Sequence, residues 1–533
     1  MMPAHDVVIL GGGLAGLTLA LQLKQRFADI DVLVLERKAH PVPEAAHKVG
    51  ESTVEIGANY FDTVLGLKDH MMTAQLKKFG FRFFFSEGRR DVDRVTELGA
   101  STFLSTGAWQ IDRGIFENFL GETVRARGIG FIDGATVKNV ALSESGGLHE
   151  VEYEHDLIRY TVSAKWVVDA SGRAGFLKRR LGLAQDNAHD ANAVWFRIDT
   201  KIDVDDWSQD REWLTRCNPP NRWLSTSHLC GEGYWVWLIP LASGSHSVGI
   251  VCDAKLHPLQ TMNTFDLAME WFRVHQPRLF DALDDKRHLL QDFLFLRNFS
   301  YGCKQVFSGR RWALTGEAGL FLDPFYSPGS DFIAIANTYI TELIAKDRAG
   351  EPFDAYAPIY EQLYYSFYES TLAMYTDQYR IFGDAEVMPV KVVWDYTYYW
   401  GVLGPLFFQR RLTDLAALGR LRDELANAKA LNVAVQKLLR EWSAVSAKRN
   451  PPQLLDQASW PWFAELNRVL RDPLDDDAAF KARMRRNCAT LRTLAREIVE
   501  RACAEHPGLD ADAIRALIGD DVAPGGLLFE RAA

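Results

Sequence analysis

Few cysteines are present, and they form no pattern. Cys217, Cys230, Cys252, Cys303, Cys488 and Cys503 include no Cys-x-x-Cys pair and have no histidine partners at zinc spacing. That argues against a metal site and a disulfide framework, and fits reduced, buried thiols in a cytoplasmic protein. No apolar run approaches the ~20 residues that a membrane span needs. The apolar start, Val7 to Leu10, is too short for a signal peptide and runs straight into glycines. Basic excess is missing too: the formal charge is -10, and no Lys/Arg stripe with interleaved aromatics offers a nucleic-acid surface. Such a charge favours solubility. Internal repeats and low-complexity linkers are also lacking.

What the chain does have is length and apolar content. At 533 residues and 47% hydrophobic, it needs two or three packed units rather than one core. Asp6 to Leu10 reads as a buried strand, Leu14 to Arg26 as a helix and Asp31 to Leu35 as a second strand, which together predict a parallel sheet with a right-handed crossover. From about 80 to 300 alternating segments such as Leu148 to Tyr153, Tyr160 to Val162 and Tyr234 to Ile239 predict antiparallel sheet. Residues 311 to 345 return to strand, loop and helix, so the nucleotide domain is discontinuous. Beyond 346 strand signals fade, and Leu412 to Trp442 has the apolar spacing of an amphipathic helix, stopped by Pro451 and Pro452. The expected fold class is α/β. A core over 1–345 has nucleotide-binding parts near 1–60, 105–190 and 300–345 and antiparallel parts near 80–105 and 190–300. A helical region over 346–520 and a loose tail over 521–533 follow.

Gly11-Gly12-Gly13-Leu14-Ala15-Gly16 fits G-x-G-x-x-G between a strand and a helix. Gly11 permits the tight turn, Gly13 lets the backbone approach a diphosphate, and Gly16 lets helix and strand pack closely. Leu14 and Ala15 supply amides at the helix start. Glu36 lies 20 residues after Gly16 at the end of the second strand, where a carboxylate can accept ribose hydroxyls. Its neighbour Arg37 belongs to the same candidate set.

Further segments carry a family resemblance. Trp166-Val-Val-Asp169-Ala-Ser-Gly172-Arg173 and Trp312-Ala-Leu-Thr-Gly316-Glu317-Ala-Gly319 resemble elements of the two-domain FAD-dependent hydroxylase superfamily, with Glu317 where that family usually has Asp. Asp112-Arg113 resembles its flavin-contacting pair at a helix start. Trp235-Val-Trp237-Leu-Ile239-Pro240 matches W-x-W-x-I-P, and Phe321-Leu-Asp-Pro324-Phe-Tyr-Ser327-Pro-Gly329 matches F-x-x-P-x-x-S-x-G. Both are signatures of flavin-dependent halogenases. Gly50-Glu51-Ser52-Thr53 resembles the strap along the flavin, and Lys78-Phe-Gly80-Phe-Arg-Phe83 resembles the K-x-G-x-x-F segment with the family's lysine. Lys77 competes with Lys78, and only Gly80 and Phe83 favour the latter. These matches span residues 5 to about 345.

The resemblance implies an FAD enzyme that turns FADH2, oxygen and chloride or bromide into hypohalous acid, which reaches Lys78 beside an aromatic substrate. The lysine would act as a hydrogen-bonding ammonium or, if desolvated, as a haloamine. Trp235, Trp237, Ile239 and Pro240 would wall flavin from substrate. Pro324, Ser327, Gly329 and Ser330 would form the halide loop, although Pro328 lacks an N–H there. Tyr326 stands where the tryptophan-halogenating branch has Glu, which points to a self-activating phenol or pyrrole, free or tethered to a carrier protein. No second glycine-rich motif for NAD(P)H is present, which agrees with a separate flavin reductase. The alternatives are a hydroxylase on the same scaffold and a non-catalytic flavin-binding protein. The aromatic run from Tyr364 to Trp400 would line a substrate pocket or serve as ordinary core.

Overall fold

A computed structural model describes residues 4–44, 50–474, 476–519 and 522–529. Two compact units emerge, each assembled from three stretches of chain. One comprises Met1–Gln75, Ile111–Ala188 and Ser300–Tyr368, the other Leu76–Gln110, His189–Phe299 and Glu369–Ala533.

The first unit is built on a sheet in which the strands Phe307–Ser308, Trp312–Leu314, Ile158–Asp169, Ala4–Leu10, Val32–Leu35 and Gly130–Ile132 lie side by side in that order. All pair in parallel except Phe307–Ser308. Val7, Val8 and Ile9 are fully buried, as the continuous apolar run of a sheet covered on both faces requires. The helix Leu14–Arg26 joins Ala4–Leu10 to Val32–Leu35 on one side, while Ile158–Asp169 lies on the other. The order of strands therefore reverses at Ala4–Leu10, and the crevice at its carboxyl end is where such sheets bind ligands.

The second unit is a mainly antiparallel eight-stranded sheet in the order Leu290–Leu296, Ala191–Ile198, His246–Asp253, Tyr234–Pro240, Thr226–Gly231, Phe81–Phe84, Glu97–Gly99 and Leu454–Asp456. Alternation sorts its two faces. Phe84, Leu229, Tyr234, Val236, Leu238, Val248 and Ile250 join Trp271, Phe272, Leu279 and Leu283 in one closed core. Trp235 and Trp237 stand at the alternate positions, opposite Cys230 and His228 on the next strand, so they share the other face.

Several expectations need correcting. The Leu454–Asp456 strand, paired in parallel with Glu97–Gly99, lies in the stretch where strand signals fade. The single helix expected over Leu412 to Trp442 is two, Leu415–Gly419 and Arg422–Val445, and the second ends before Pro451. The tail is not loose over residues 522–529. The Glu497 carboxylate accepts the N–H groups of Gly526, Leu527 and Leu528 at 2.6, 2.9 and 2.8 Å, and Trp460 stacks on Phe529. Among the described residues no helix is long and apolar enough to cross a membrane.

Buried His246 ties the second unit to pH. Its Nδ1 accepts the Ile202 N–H at 3.1 Å. Burial, with Lys201 nearby, pulls its pKa from 6.5 down to about 3. Below the ordinary value the unfolded chain takes up a proton that the folded chain refuses, so stability present above pH 6.5 is lost as pH falls toward 3. Between pH 7 and 5 this one group should cost about 2 kcal/mol. His246→Asn keeps an acceptor at the δ position and should flatten the fall by that amount in denaturant titrations at the two pH values. An unchanged slope would refute the assignment.

Candidate functional site

In the first unit the glycine turn takes its shape from its neighbours. Gly11 has φ +116°, and a Cβ on it would strike the Ala170 carbonyl, whose own N–H bonds the Leu10 carbonyl at 2.8 Å. A Cβ on Gly16 would strike the Gly11 carbonyl oxygen. Gly12 is equally constrained, since its Cβ would lie 2.7 Å from that of Glu36, and its N–H donates to Glu36 Oε2 at 2.6 Å. The motif G-x-G-x-x-G assigns Gly12 no role; the three-glycine run is the signal that could have found it. Around Gly13, by contrast, a Cβ would meet nothing within 4 Å. The helix beginning at Leu14 has no side-chain cap and no acidic residue in its first turn, which suits an anion at its first amides.

The other candidate segments of the dinucleotide site lie in the same unit. Glu36 Oε1 also accepts the Lys38 N–H at 2.7 Å. Two backbone donors leave a carboxylate with lone pairs for ribose hydroxyls, and Arg37 lies exposed beside it. Asp169 ends its strand fully buried, and its carboxylate accepts the N–H groups of Ser171 at 3.0 Å and Leu177 at 2.7 Å. Burial pushes its pKa up, and in the structure its task is to hold the turn. Gly316, with φ +60°, packs against Ala15. Glu317 pairs with Arg173 Nε at 3.0 Å, so the two superfamily-like segments meet through that ion pair. The strap is linked to the helix start: the Ile111 N–H donates to the Glu51 carbonyl at 2.7 Å, and Arg113 reaches the Gly50 carbonyl at 3.5 Å and Glu117. Glu51, Ser52 and Thr53 are buried there. Asn337, which sequence reasoning missed, bonds Ala15 O, Thr18 and Tyr60 at 3.2, 3.2 and 3.0 Å and pins the first helix.

The loop from Pro324 ends in a turn closed by the Ser327 N–H on the Pro324 carbonyl at 2.8 Å, with Ser327 at φ +51°. Pro328 then caps the 20-residue helix Gly329–Arg348. Gly329 and Ser330 therefore sit in its first turn, where amides lack helical partners. Gly329 is exposed with free space at its Cβ, and the buried Ser330 hydroxyl has no hydrogen-bond partner. The proline removes one donor and leaves two. Asp331 accepts the Gly57 N–H at 2.7 Å. Tyr326, at the position of interest for substrate, packs its ring 4.7 Å from Phe325.

The second unit holds the lysine and the tryptophans. Lys78 is 2% exposed, with Nζ 3.3 Å from the centre of the Phe81 ring, whereas Lys77 is exposed over Phe103. Between Lys78 and Phe81 the chain turns at Gly80 with φ +81°, a conformation that glycine adopts without a Cβ penalty. Phe81 and Phe83 both contact His228, at 5.2 and 4.7 Å, and His228 contacts Trp235 at 5.1 Å. Trp235 and Trp237 are buried, donating to Tyr379 at 3.3 Å and Ser247 at 3.1 Å. Trp237 lies across Gly249, where any Cβ would strike the indole. Ile239 and Pro240 complete the buried strand. From the Tyr364 to Trp400 run, Tyr396 reaches Phe81 at 6.2 Å and packs on Trp400 at 4.6 Å. His228 was not anticipated, because a lone histidine on an apolar strand carries no spacing signal.

Residues 4–264 match the model of the FAD binding domain. Flavin-dependent halogenase chlA of Dictyostelium discoideum is 26% identical over 83% of this chain and 81% of its own length. A 1H-pyrrole-2-carbonyl-(peptidyl-carrier protein) brominase of Pseudoalteromonas luteoviolacea is 26% identical over 62% of this chain and 74% of its own. Among solved structures, halogenase PltM has the same fold, with a TM-score of 0.64 and 18% identity over 97% of this chain and 99% of its own. Open space beside Gly13, a helix start with no capping side chain and a hydrogen-bonded carboxylate at Glu36 suit FAD. The chain is an FAD-dependent oxidoreductase with an FAD binding domain over residues 4–264, and it is similar to flavin-dependent halogenases.

Proposed function

We propose that this protein halogenates an electron-rich aromatic, phenol- or pyrrole-like, with Lys78 delivering the halogen. The observation that carries the reading is the burial of one lysine of two beside an aromatic sheet face, with Nζ over Phe81. Bound as FADH2, the cofactor would supply two electrons and two protons, with which oxygen, a chloride or bromide ion and one further proton give hypohalous acid and water. An ammonium over an aromatic face is attracted to it, and in that place Lys78 donates a hydrogen bond to the hypohalous oxygen. The aromatic carbon then takes the halogen, and its proton leaves with the hydroxide as water.

The amides of Gly329 and Ser330 serve the halide, and Pro324 and Ser327 shape the turn before them. Glu36, Arg37, Glu51 to Thr53, Arg113, Asp169, Gly316 and Glu317 serve the dinucleotide, the last through Arg173. Trp235 and Trp237 keep substrate from the flavin. Electrons come from a separate NAD(P)H-dependent flavin reductase. That relatives act on pyrrole bound to a carrier protein supports a carrier-tethered substrate here.

Pro328 favours one second reading, a hydroxylase. Purified protein supplied with FAD, a reductase, oxygen, chloride or bromide, and a panel of phenols, pyrroles and indoles decides between them. Halogenated masses are expected. Hydroxylated masses would establish the second reading, and unchanged substrate would defeat both.

A further inference from the structure

Four charges lie buried beneath the strand that carries Phe81. Arg82, Glu97 and Arg222 have no solvent exposure, and Asp205 has 9%. Arg82 Nη1 pairs with Glu97, and Arg222 Nε with the same carboxylate at 2.8 Å. Arg222 Nη1 pairs with Asp205 at 2.8 Å. Arg82 also donates to the Ala100 carbonyl at 2.5 Å and to Ser225 Oγ at 3.3 Å. Gly99 makes room for it, since a Cβ there would lie 3.0 Å from the guanidinium carbon. Burial raises the Glu97 pKa, but the two guanidiniums outweigh it and hold the group below the usual carboxylate range. Charges of this kind are costly to bury, and apolar replacements are often as stable. Fold stability alone therefore does not account for them.

What they grip is the lysine segment. Gly80 makes residues 78–80 soft, so their rigidity must come from neighbours. The Phe79 N–H donates to the Leu224 carbonyl at 3.0 Å, and the Thr226 N–H to the Gly80 carbonyl at 3.0 Å. Leu224 ends the short turn Arg222–Leu224, which the Arg222 ion pairs anchor. On the other side the Arg82 guanidinium lies 5.5 Å from the Phe79 ring. Buried Gln110, the last residue of the strand Ala108–Gln110 that pairs with Lys78, closes the frame by donating to Thr226 Oγ1 at 3.0 Å.

We propose that Arg82, Glu97 and Arg222 are positioning residues for Lys78, a fixed ionic clamp that sets where its amine meets the oxidant and the substrate. This rests on the reading of Lys78 given above. None of the three touches the reacting atoms. Their loss should misplace the amine rather than remove it, and hypohalous acid should then escape instead of being captured.

The test reads halogenated product formed per oxygen consumed, at a temperature well below unfolding. In Glu97→Gln this ratio should fall by roughly tenfold or more, with kcat lowered, substrate KM little changed and FAD occupancy kept. Arg82→Lys keeps the charge but loses the fork that reaches Ala100 and Ser225, and a loss of about threefold is expected. Lys391→Met breaks another fully buried ion pair of the same unit, Lys391 to Asp395 at 2.7 Å. It should lower the melting temperature while leaving the ratio at its original value. If Glu97→Gln does not fold, Arg82→Lys decides alone. A ratio unchanged in the clamp variants, with Lys78→Ala inactive, overturns the clamp and leaves the function standing. Full halogenation by Lys78→Ala brings down both.

Discussion

Lys78→Ala is expected to lower halogenated product by roughly a thousandfold, a typical share for a positioned proton donor in a reaction step. FAD should stay bound and peroxide should still appear, because the dinucleotide residues lie in the other unit. The alanine also removes the chain that covers the Phe81 face, so Lys78→Met, which fills nearly the same space without a charge, should be tested beside it. Both variants should lose activity alike. Product masses and oxygen uptake measured together check this, and normal halogenation by either variant would end the assignment. Lys77→Ala, at the exposed neighbour, should halogenate as before.

Gly13→Val should abolish FAD retention in an otherwise folded protein. Gly13 has φ -82°, so its backbone suits any residue, and no atom lies within 4 Å of the added Cβ. The valine therefore costs the empty protein little. It fills the opening that a diphosphate needs, and affinity should fall by at least about a hundredfold, near 2.7 kcal/mol. Flavin absorbance after gel filtration and the melting temperature without FAD are the two measurements. A yellow variant, or one that melts far below the parent, would count against the placement. Gly16→Val makes a useful contrast, because its Cβ would collide with the Gly11 carbonyl and should prevent folding altogether.

Local pattern made the dinucleotide turn readable. The helix Leu14–Arg26 has the bounds that its apolar spacing predicts, and Gly11, Gly16 and Gly80 occupy the strained or crowded places that call for glycine. The choice between Lys77 and Lys78 was legible only through the trailing Gly80 and Phe83, and the reason is now physical: strand alternation sends one lysine to solvent and the other under cover. Contacts distant along the chain left no such trace. Arg82 reads as a charged interruption in an aromatic strand, and nothing local announces Glu97 or Arg222 as its partners. Glu317 stands where the resembling family usually has Asp, and its ion pair with Arg173 depends on two turns 144 positions apart. The Leu454–Asp456 strand is only three residues long and completes a sheet begun at Phe81, too short for periodicity to reveal.

The division of each unit among three stretches has a consequence for how the polypeptide is made. The chain passes from one unit to the other five times. At the ribosome, the first sheet must wait for Trp312–Leu314, and the second for Leu454–Asp456. Until then apolar strand edges stay open to wrong partners, a state prone to aggregation. No single cut yields two autonomous halves, so dissecting this enzyme calls for point substitutions in the intact polypeptide.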